Sequence, residues 1–288
     1  MSVQDKKKPA PTPVEQTEEE KKRLGKRDQL AEGRMPQLNK MEIIARKVAS
    51  PYRRAYGELE RMQGKKEHEQ ADIDQVLGQI TDFIKGELNA SYPDIPVIID
   101  EELPTNTAFF MIDPCGSRVN FEHARQEISV TMAFVDNNKV RCAYVYQPII
   151  DSYVTYEQDG GLKSEVSRYR VSGRKSLNNT VVSVFSPTTQ STDKSEEQYL
   201  SLLKTLRTQN VHTRTSGNIV LDILDVAAGR SDALFASHIA PKNAFLAHFF
   251  MKEAGGYASE LNGNEIDTTS TDFVLGNPHT YKELLESL

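Results

Sequence analysis

The sequence lacks the features that would place it outside the cytoplasm or on a nucleic acid. Its 288 residues include two cysteines, Cys115 and Cys142, too few for a disulfide framework and without zinc-site spacing. No apolar run is long enough to cross a bilayer. The N-terminus has no apolar signal core, and acidic residues interrupt its basic ones, which argues against a secretory signal or a mitochondrial presequence. A basic excess is also missing. Lys and Arg number 35 against 41 Asp and Glu, a formal net charge of −6, so nucleic acid is not expected as a partner. His68, His123, His212, His238, His248 and His279 are scattered without ligand spacing. No internal repeat or heptad run is visible. A reduced, cytoplasmic protein without direct membrane insertion is expected, of a length that suits one large domain or two interlocked ones.

What is present divides into three parts. Residues 1–35 are rich in Lys, Glu, Pro and Gln and nearly free of large apolar side chains, a composition that cannot offset its own ordering entropy. A flexible charged tail is expected there, with a nascent helix behind the capping box Thr17-Glu18-Glu19-Glu20. Docking on a partner is its sharper use. From residue 36, Met41, Ile44, Ala45 and Val48 share a helical face, and Ser50-Pro51 is expected to break or kink that helix before Tyr52 to Met62. Ile73, Val76, Leu77, Ile80, Phe83, Ile84 and Leu88 recur at helical spacing, and Tyr92-Pro93 ends the run. Strands are expected at 97–100, 108–113, 128–135, 140–146 and 152–157, with a hairpin turn at Asp136-Asn137-Asn138-Lys139. Residues 160–179 read as polar turns. The remaining part alternates: strands at 180–185, near Val211, at 233–236 and at 273–275, with helices at 196–207, 218–228, 243–254 and from His279. An α+β half (36–178) followed by an α/β half (179–288) is the expected organisation.

The best acid cluster is Asp100-Glu101-Glu102 at one strand end, with Asp113 at the end of the next. Carboxylates at neighbouring strand tips can share a hard cation such as magnesium. Around them lie Asp113-Pro114-Cys115-Gly116-Ser117-Arg118-Val119-Asn120-Phe121, Gly217-Asn218-Ile219-Val220-Leu221-Asp222 through Val226-Ala227-Ala228-Gly229-Arg230-Ser231-Asp232, Glu253-Ala254-Gly255-Gly256, and Val274-Leu275-Gly276-Asn277-Pro278. In this order and near this spacing, the segments resemble the inositol monophosphatase family over roughly residues 35–288.

The resemblance implies a layered sandwich of an α+β and an α/β half. It also implies a magnesium-dependent, lithium-sensitive phosphomonoesterase whose ions lie between the halves and generate a hydroxide for in-line attack. Residue by residue, Glu101 and Asp113 match carboxylate ligands and the carbonyl of Cys115 matches a backbone ligand. The family's ion-bridging second aspartate is missing: Gly116 stands in its place. Ser117 and Arg118 replace its Gly-Thr, Pro241-Lys242-Asn243-Ala244 stands where it carries Trp-Asp, and Ala236 falls where inositol phosphatases carry a sugar-binding glutamate. One unit charge about 4 Å from an ion is worth ~4 kcal/mol at an effective dielectric of ~20. Tight binding of a second divalent ion is therefore not expected, and the cofactor expectation is none, or a single weak Mg²⁺ at Glu101, Asp113 and the Cys115 carbonyl.

Asn243 is read as a helix cap that keeps an aspartate's structural job without its charge. Cys115 is read as a packing residue, since a cysteine phosphatase would carry arginine where Phe121 stands. Arg118 and Arg214 are weighed as an anion pocket at the helix start near Gly217 against ordinary acid-paired arginines. Gly255-Gly256 is read as a helix stop. The function expected is that of a catalytically impaired, structural or regulatory interaction subunit, with a protein partner or a second copy, a bacterial secretion or coupling complex being one setting. The alternatives are a weak Mg²⁺-dependent phosphomonoesterase on a sugar phosphate or nucleotide, with Ser117 and Glu102 covering for lost groups, and an anionic-metabolite sensor at Arg118.

Overall fold

The computed structural model describes residues 34–62, 70–186 and 193–288, and residues 36–288 form one compact unit. The tail and its capping box at Thr17 lie outside the described residues. The first helix, α1 (Pro36–Met62), buries Leu38, Met41, Ile44, Ala45, Val48, Tyr52, Ala55 and Leu59. It runs through Pro51 as one helix, so of the break or kink expected at Ser50-Pro51 the break does not occur. The cost of an interior proline, about 3 kcal/mol, is outweighed because the buried stripe continues on both sides of it. α2 (Gln70–Ser91) packs on α1 and stops where expected, with Tyr92 N–H still bonded to Leu88 O at 2.8 Å. Phe83, placed on its apolar face by spacing, is 37 % exposed.

The first sheet runs β1 (Val97–Ile98), β2 (Phe109–Asp113), β3 (Val130–Asp136), β4 (Lys139–Gln147), β5 (Ser152–Glu157) and β6 (Gly161–Ser164) in spatial order. β1 is parallel to β2, and the rest is an antiparallel meander. Asn137 and Asn138 both take positive φ (50° and 58°) at the β3–β4 turn, the hairpin geometry that asparagine tolerates. β6 lies in the stretch read as turns. A short Gly-Leu-Lys-Ser strand shows little alternation, and its pairing with β5 is set by the turn before it. The short helix α3 (Arg118–Glu122), capped by Ser117 Oγ on Asn120 N–H at 3.2 Å, was likewise not expected.

Residues 165–180 connect β6 to β7. β7 (Val181–Phe185), β8 (His212–Arg214), β9 (Ala233–Ala236), β10 (Tyr257–Glu260) and β11 (Phe273–Gly276) make a mixed sheet in the order β10-β11-β9-β7-β8. β7 is parallel to β8 and β9, and β11 is antiparallel to β9 and β10. Helices α4 (Asp193–Thr208), α5 (Ile219–Ala227), α6 (Pro241–Ala254) and α7 (Pro278–Glu286) complete it.

Burial shows the layering. One core joins Met111, Val145 and Tyr156 of the first sheet to Leu224 of α5, Phe250 of α6 and Leu234 and Leu275 of the second sheet. α5 and α6 therefore lie between the sheets. α1 covers the other face of the first sheet through β3 and β4. A second core, Val182, Leu202, Leu206, Phe235 and Leu284, seals the far face of the second sheet under α4 and α7. This is the expected layered α+β and α/β sandwich. Among the described residues no helix is long and apolar enough to cross a membrane.

Candidate functional site

The layering brings three loci together: the end of β1, the end of β2 and the start of α6. Ile99, Asp100, Glu101, Glu102, Pro241 and Lys242 line one cleft of about 830 Å³. Glu101 and Glu102 are exposed on its wall. Lys242 Nζ donates to Ile99 O at 3.1 Å and Asp100 Oδ1 at 2.9 Å, and it lies 4.0 Å from Asp113 Oδ2. The side chains of Lys242 and Asp113 are only 11 % and 14 % exposed, whereas that of Asp100 is 86 % exposed. Burial pushes the Asp113 carboxyl above the usual carboxylate range, against the pull of the Lys242 ammonium and of a bond from Cys115 N–H to Oδ1 at 3.2 Å. Lysine in the first turn is unfavourable for the helix itself, because the N-terminal end of the macrodipole is already positive. Its placement is explained by its acceptors on β1 and β2.

Beyond β2 the chain turns at Pro114, whose carbonyl accepts a hydrogen bond from the deeply buried Tyr52 hydroxyl. Cys115 follows, its thiol pushed up to about 12 by burial and then by the Asp113 charge. A thiol so held is no nucleophile at neutral pH, which supports the packing role. Gly116 is enclosed: a Cβ there would meet Ser129 Oγ at 2.5 Å and both side-chain polar atoms of Asn218 at 3.0–3.1 Å. The volume an aspartate would need holds a buried polar group made from both halves. Asn218 Nδ2 donates to Ser129 Oγ at 3.0 Å, and Asn218 Oδ1 caps α5 on Leu221 N–H at 3.3 Å. Asn120 Nδ2 ties the same wall to Ser216 O and Glu127 O, each at 2.9 Å.

One expectation changes, and the open reading of the two arginines is decided. Asn243 does not cap α6: Ala240 is the N-cap, Pro241 occupies the first helical turn, and Asn243 N–H bonds to Ala240 O at 2.9 Å. The proline moved the helix start two residues earlier than the sequence reading placed it. Asn243 Oδ1 is buried without a hydrogen-bond partner among the described residues. Arg118 adds no free positive charge to the cleft, because it is held by Asp74 at 2.6 Å and Glu122 at 2.7 Å. Arg214 pairs with Asp225 at 3.4 Å, so the two arginines form ordinary ion pairs. Ser117 is engaged as the α3 cap. Ala236 is fully buried in β9. Lys242 and the Ser129–Asn218 wall were missed by sequence reasoning. A lysine immediately before the position of the lost late aspartate was the available signal.

The residues present do not fit a pair of divalent ions. Such a pair needs several converging anionic oxygens. Here an ammonium group stands among the Asp113, Asp100 and Ile99 oxygens, the bridging position is filled by neutral groups, and Asn243 contributes a neutral oxygen. Among the described residues no group of three or more His, Cys, Asp or Glu is arranged to hold a metal.

The surrounding scaffold nevertheless has relatives in shape and sequence. The chain is 25 % identical over 255 residues to an inositol-1-monophosphatase of Mesorhizobium japonicum, covering 87 % of this chain and 95 % of that protein. It is 27 % identical to a protein of Xylella fastidiosa named Nus factor SuhB, covering 79 % of this chain and 83 % of that protein. The crystal structure of the extragenic suppressor protein suhB from Bartonella henselae superposes with a TM-score of 0.76 at 24 % identity, over 88 % of this chain and 98 % of that one. A family model described as the inositol monophosphatase family matches residues 36–288, and to that family this chain belongs.

Proposed function

We propose that the chain is a catalytically impaired member of its family that acts through protein contacts, as a structural or regulatory subunit. The carrying observation is the cleft itself: a lysine ammonium lies among the oxygens at the strand tips, and the wall behind Gly116 is closed by Ser129 and Asn218. A phosphomonoesterase of this family works by holding its ions against the substrate phosphate, and too few anionic oxygens converge here for that. Relatives bearing the name Nus factor support the reading from another side, since they are named for something other than phosphate release from inositol. The partner is a second copy or another protein.

The test is release of inorganic phosphate from a panel of sugar phosphates and nucleotides in millimolar Mg²⁺. The expected result is no metal-dependent turnover by the natural chain. Appreciable turnover would overturn the proposal. A revertant control must make room as well as restore charge, so Gly116→Asp and Asn243→Asp are combined with Ser129→Ala, which removes the oxygen 2.5 Å from the new Cβ. Co-purification from the native host, with and without residues 1–34, then identifies the assembly. A secretion or coupling complex is one setting, and a transcription complex, suggested by the Nus factor relatives, is another.

A further inference from the structure

Resting on the reading of a cleft without its ion pair, we propose that Lys242 is a tethered cation that stands beside Asp113 in place of a divalent ion, held by Ile99 O and Asp100 rather than by the Glu101 and Cys115 oxygens that the family resemblance assigns, and that it ties the two halves together. Its Nζ lies within hydrogen-bond reach of Ile99 O (3.1 Å) and Asp100 Oδ1 (2.9 Å) and 4.0 Å from Asp113 Oδ2. Two carboxylate oxygens and a backbone carbonyl are ligands suited to a hard cation. An ammonium group is a compact point charge with three donors on a flexible four-carbon stem. It can serve the same oxygens with one positive charge and no exchange with solvent.

The stem starts on the first turn of α6, which packs between the sheets, and the acceptors sit at the ends of β1 and β2. The contact therefore spans 142 residues of sequence between Lys242 and Asp100 and joins the α/β half to the α+β half. Asp113 explains why a cation is needed here at all. It is largely buried, and a buried carboxylate is tolerated when paired or hydrogen-bonded. The surrounding losses agree with a single positive charge: Gly116 and Asn243 remove carboxylates that a monovalent cation would not balance. In this account the neutral wall and the lysine are one change in charge, distributed over three positions.

Vacating the lysine should free its oxygens for a real metal. Mn²⁺ binding would be measured by electron paramagnetic resonance on the full chain for the natural protein, Lys242→Ala and Lys242→Arg, with melting temperature followed in parallel. Lys242→Ala is expected to melt lower without metal and to bind Mn²⁺ at least tenfold more tightly than the natural chain, recovering part of the lost stability. Lys242→Arg keeps the cation and should match the natural chain. Less than a tenfold gain in Lys242→Ala overturns the proposal, as does tight Mn²⁺ binding by the natural chain. If Lys242→Ala fails to fold, Lys242→Met, which keeps most of the stem volume, is judged by the same tenfold criterion. Phosphatase turnover by the natural chain would sink the wider functional reading, whereas an inactive chain whose variants gain no Mn²⁺ would sink only the tether.

Discussion

The two ends of α6 have followed different rules. At its C-terminal end the family's Glu-Ala-Gly-Gly is intact: Gly255 takes a positive φ of 80° to close the helix, and Gly256 packs where a Cβ would strike Met251 and lie 2.8 Å from Gly276 O and Val171. At its N-terminal end Trp-Asp has become Lys242-Asn243, and the metal-directed charge is gone. The acids show the same division. Asp222, Asp232 and Glu253 remain, and each accepts from backbone: Ser216 N–H at 3.4 Å, Val181 N–H at 2.9 Å and Asp159 N–H at 3.2 Å respectively. The aspartates missing at positions 116 and 243 are those that the family resemblance assigns to the ions. The backbone-holding acids are all present, whereas of the carboxylates that the family resemblance assigns to the ions Glu101 and Asp113 are present and those at 116 and 243 are not.

The largest expected effect lies in a retained acid. Burial pushes the Asp222 carboxyl up to about 6 from 3.8, only partly offset by its bonds from Ser216, and its Oδ1 has no hydrogen-bond partner among the described residues. A carboxyl raised in the folded state favours folding while protonated, and that advantage is lost as pH rises through the folded value. Relative to Asp222→Asn, the natural chain should lose about 3 kcal/mol between pH 3 and pH 7, most of it between pH 4 and pH 6. Urea denaturation of both proteins across this window is the check. A gap that does not change with pH would show that Asp222 is not held as a buried acid.

Next comes the glycine at the retained end. Gly256→Ala should destabilise by about 1–3 kcal/mol through overpacking against Gly276 O and Val171, read as a lower denaturation midpoint at unchanged slope. A neutral outcome would mean this glycine is kept for some reason other than space.

The smallest effect tests the altered end. Gly116→Ala should cost about 1 kcal/mol because its Cβ meets Ser129 Oγ. A double-mutant cycle with Ser129→Ala should recover part of it, giving a coupling of ~0.5–1 kcal/mol. Strict additivity would mean the wall has not closed over the old aspartate position, and the contrast between the two ends would weaken.

Much of this could be read from the chain. The periodicity of 73–88 and the asparagine turn at 137–138 specified α2 and the β3–β4 hairpin, because both signals are local. β6 and β10 escaped because, unlike the equally short but fully buried β9 and β11, they are polar and partly exposed, and Tyr257, which opens β10, is 57 % exposed. A break or kink was expected in α1 from Pro51 alone, without weighing the burial on both sides of it. At the site, the motif marked positions 116 and 243 as those where the resemblance implies carboxylates. The lysine was not legible, since its acceptors lie in other elements more than a hundred residues away.

A crystal grown in Mn²⁺, with an anomalous difference map over the cleft, bears most directly on the loss of the ion pair. The expected map shows the Lys242 side chain reaching Asp100 and Asp113 with no anomalous peak beside them. Two strong peaks bridged by Asp113, with Lys242 turned away, would contradict it.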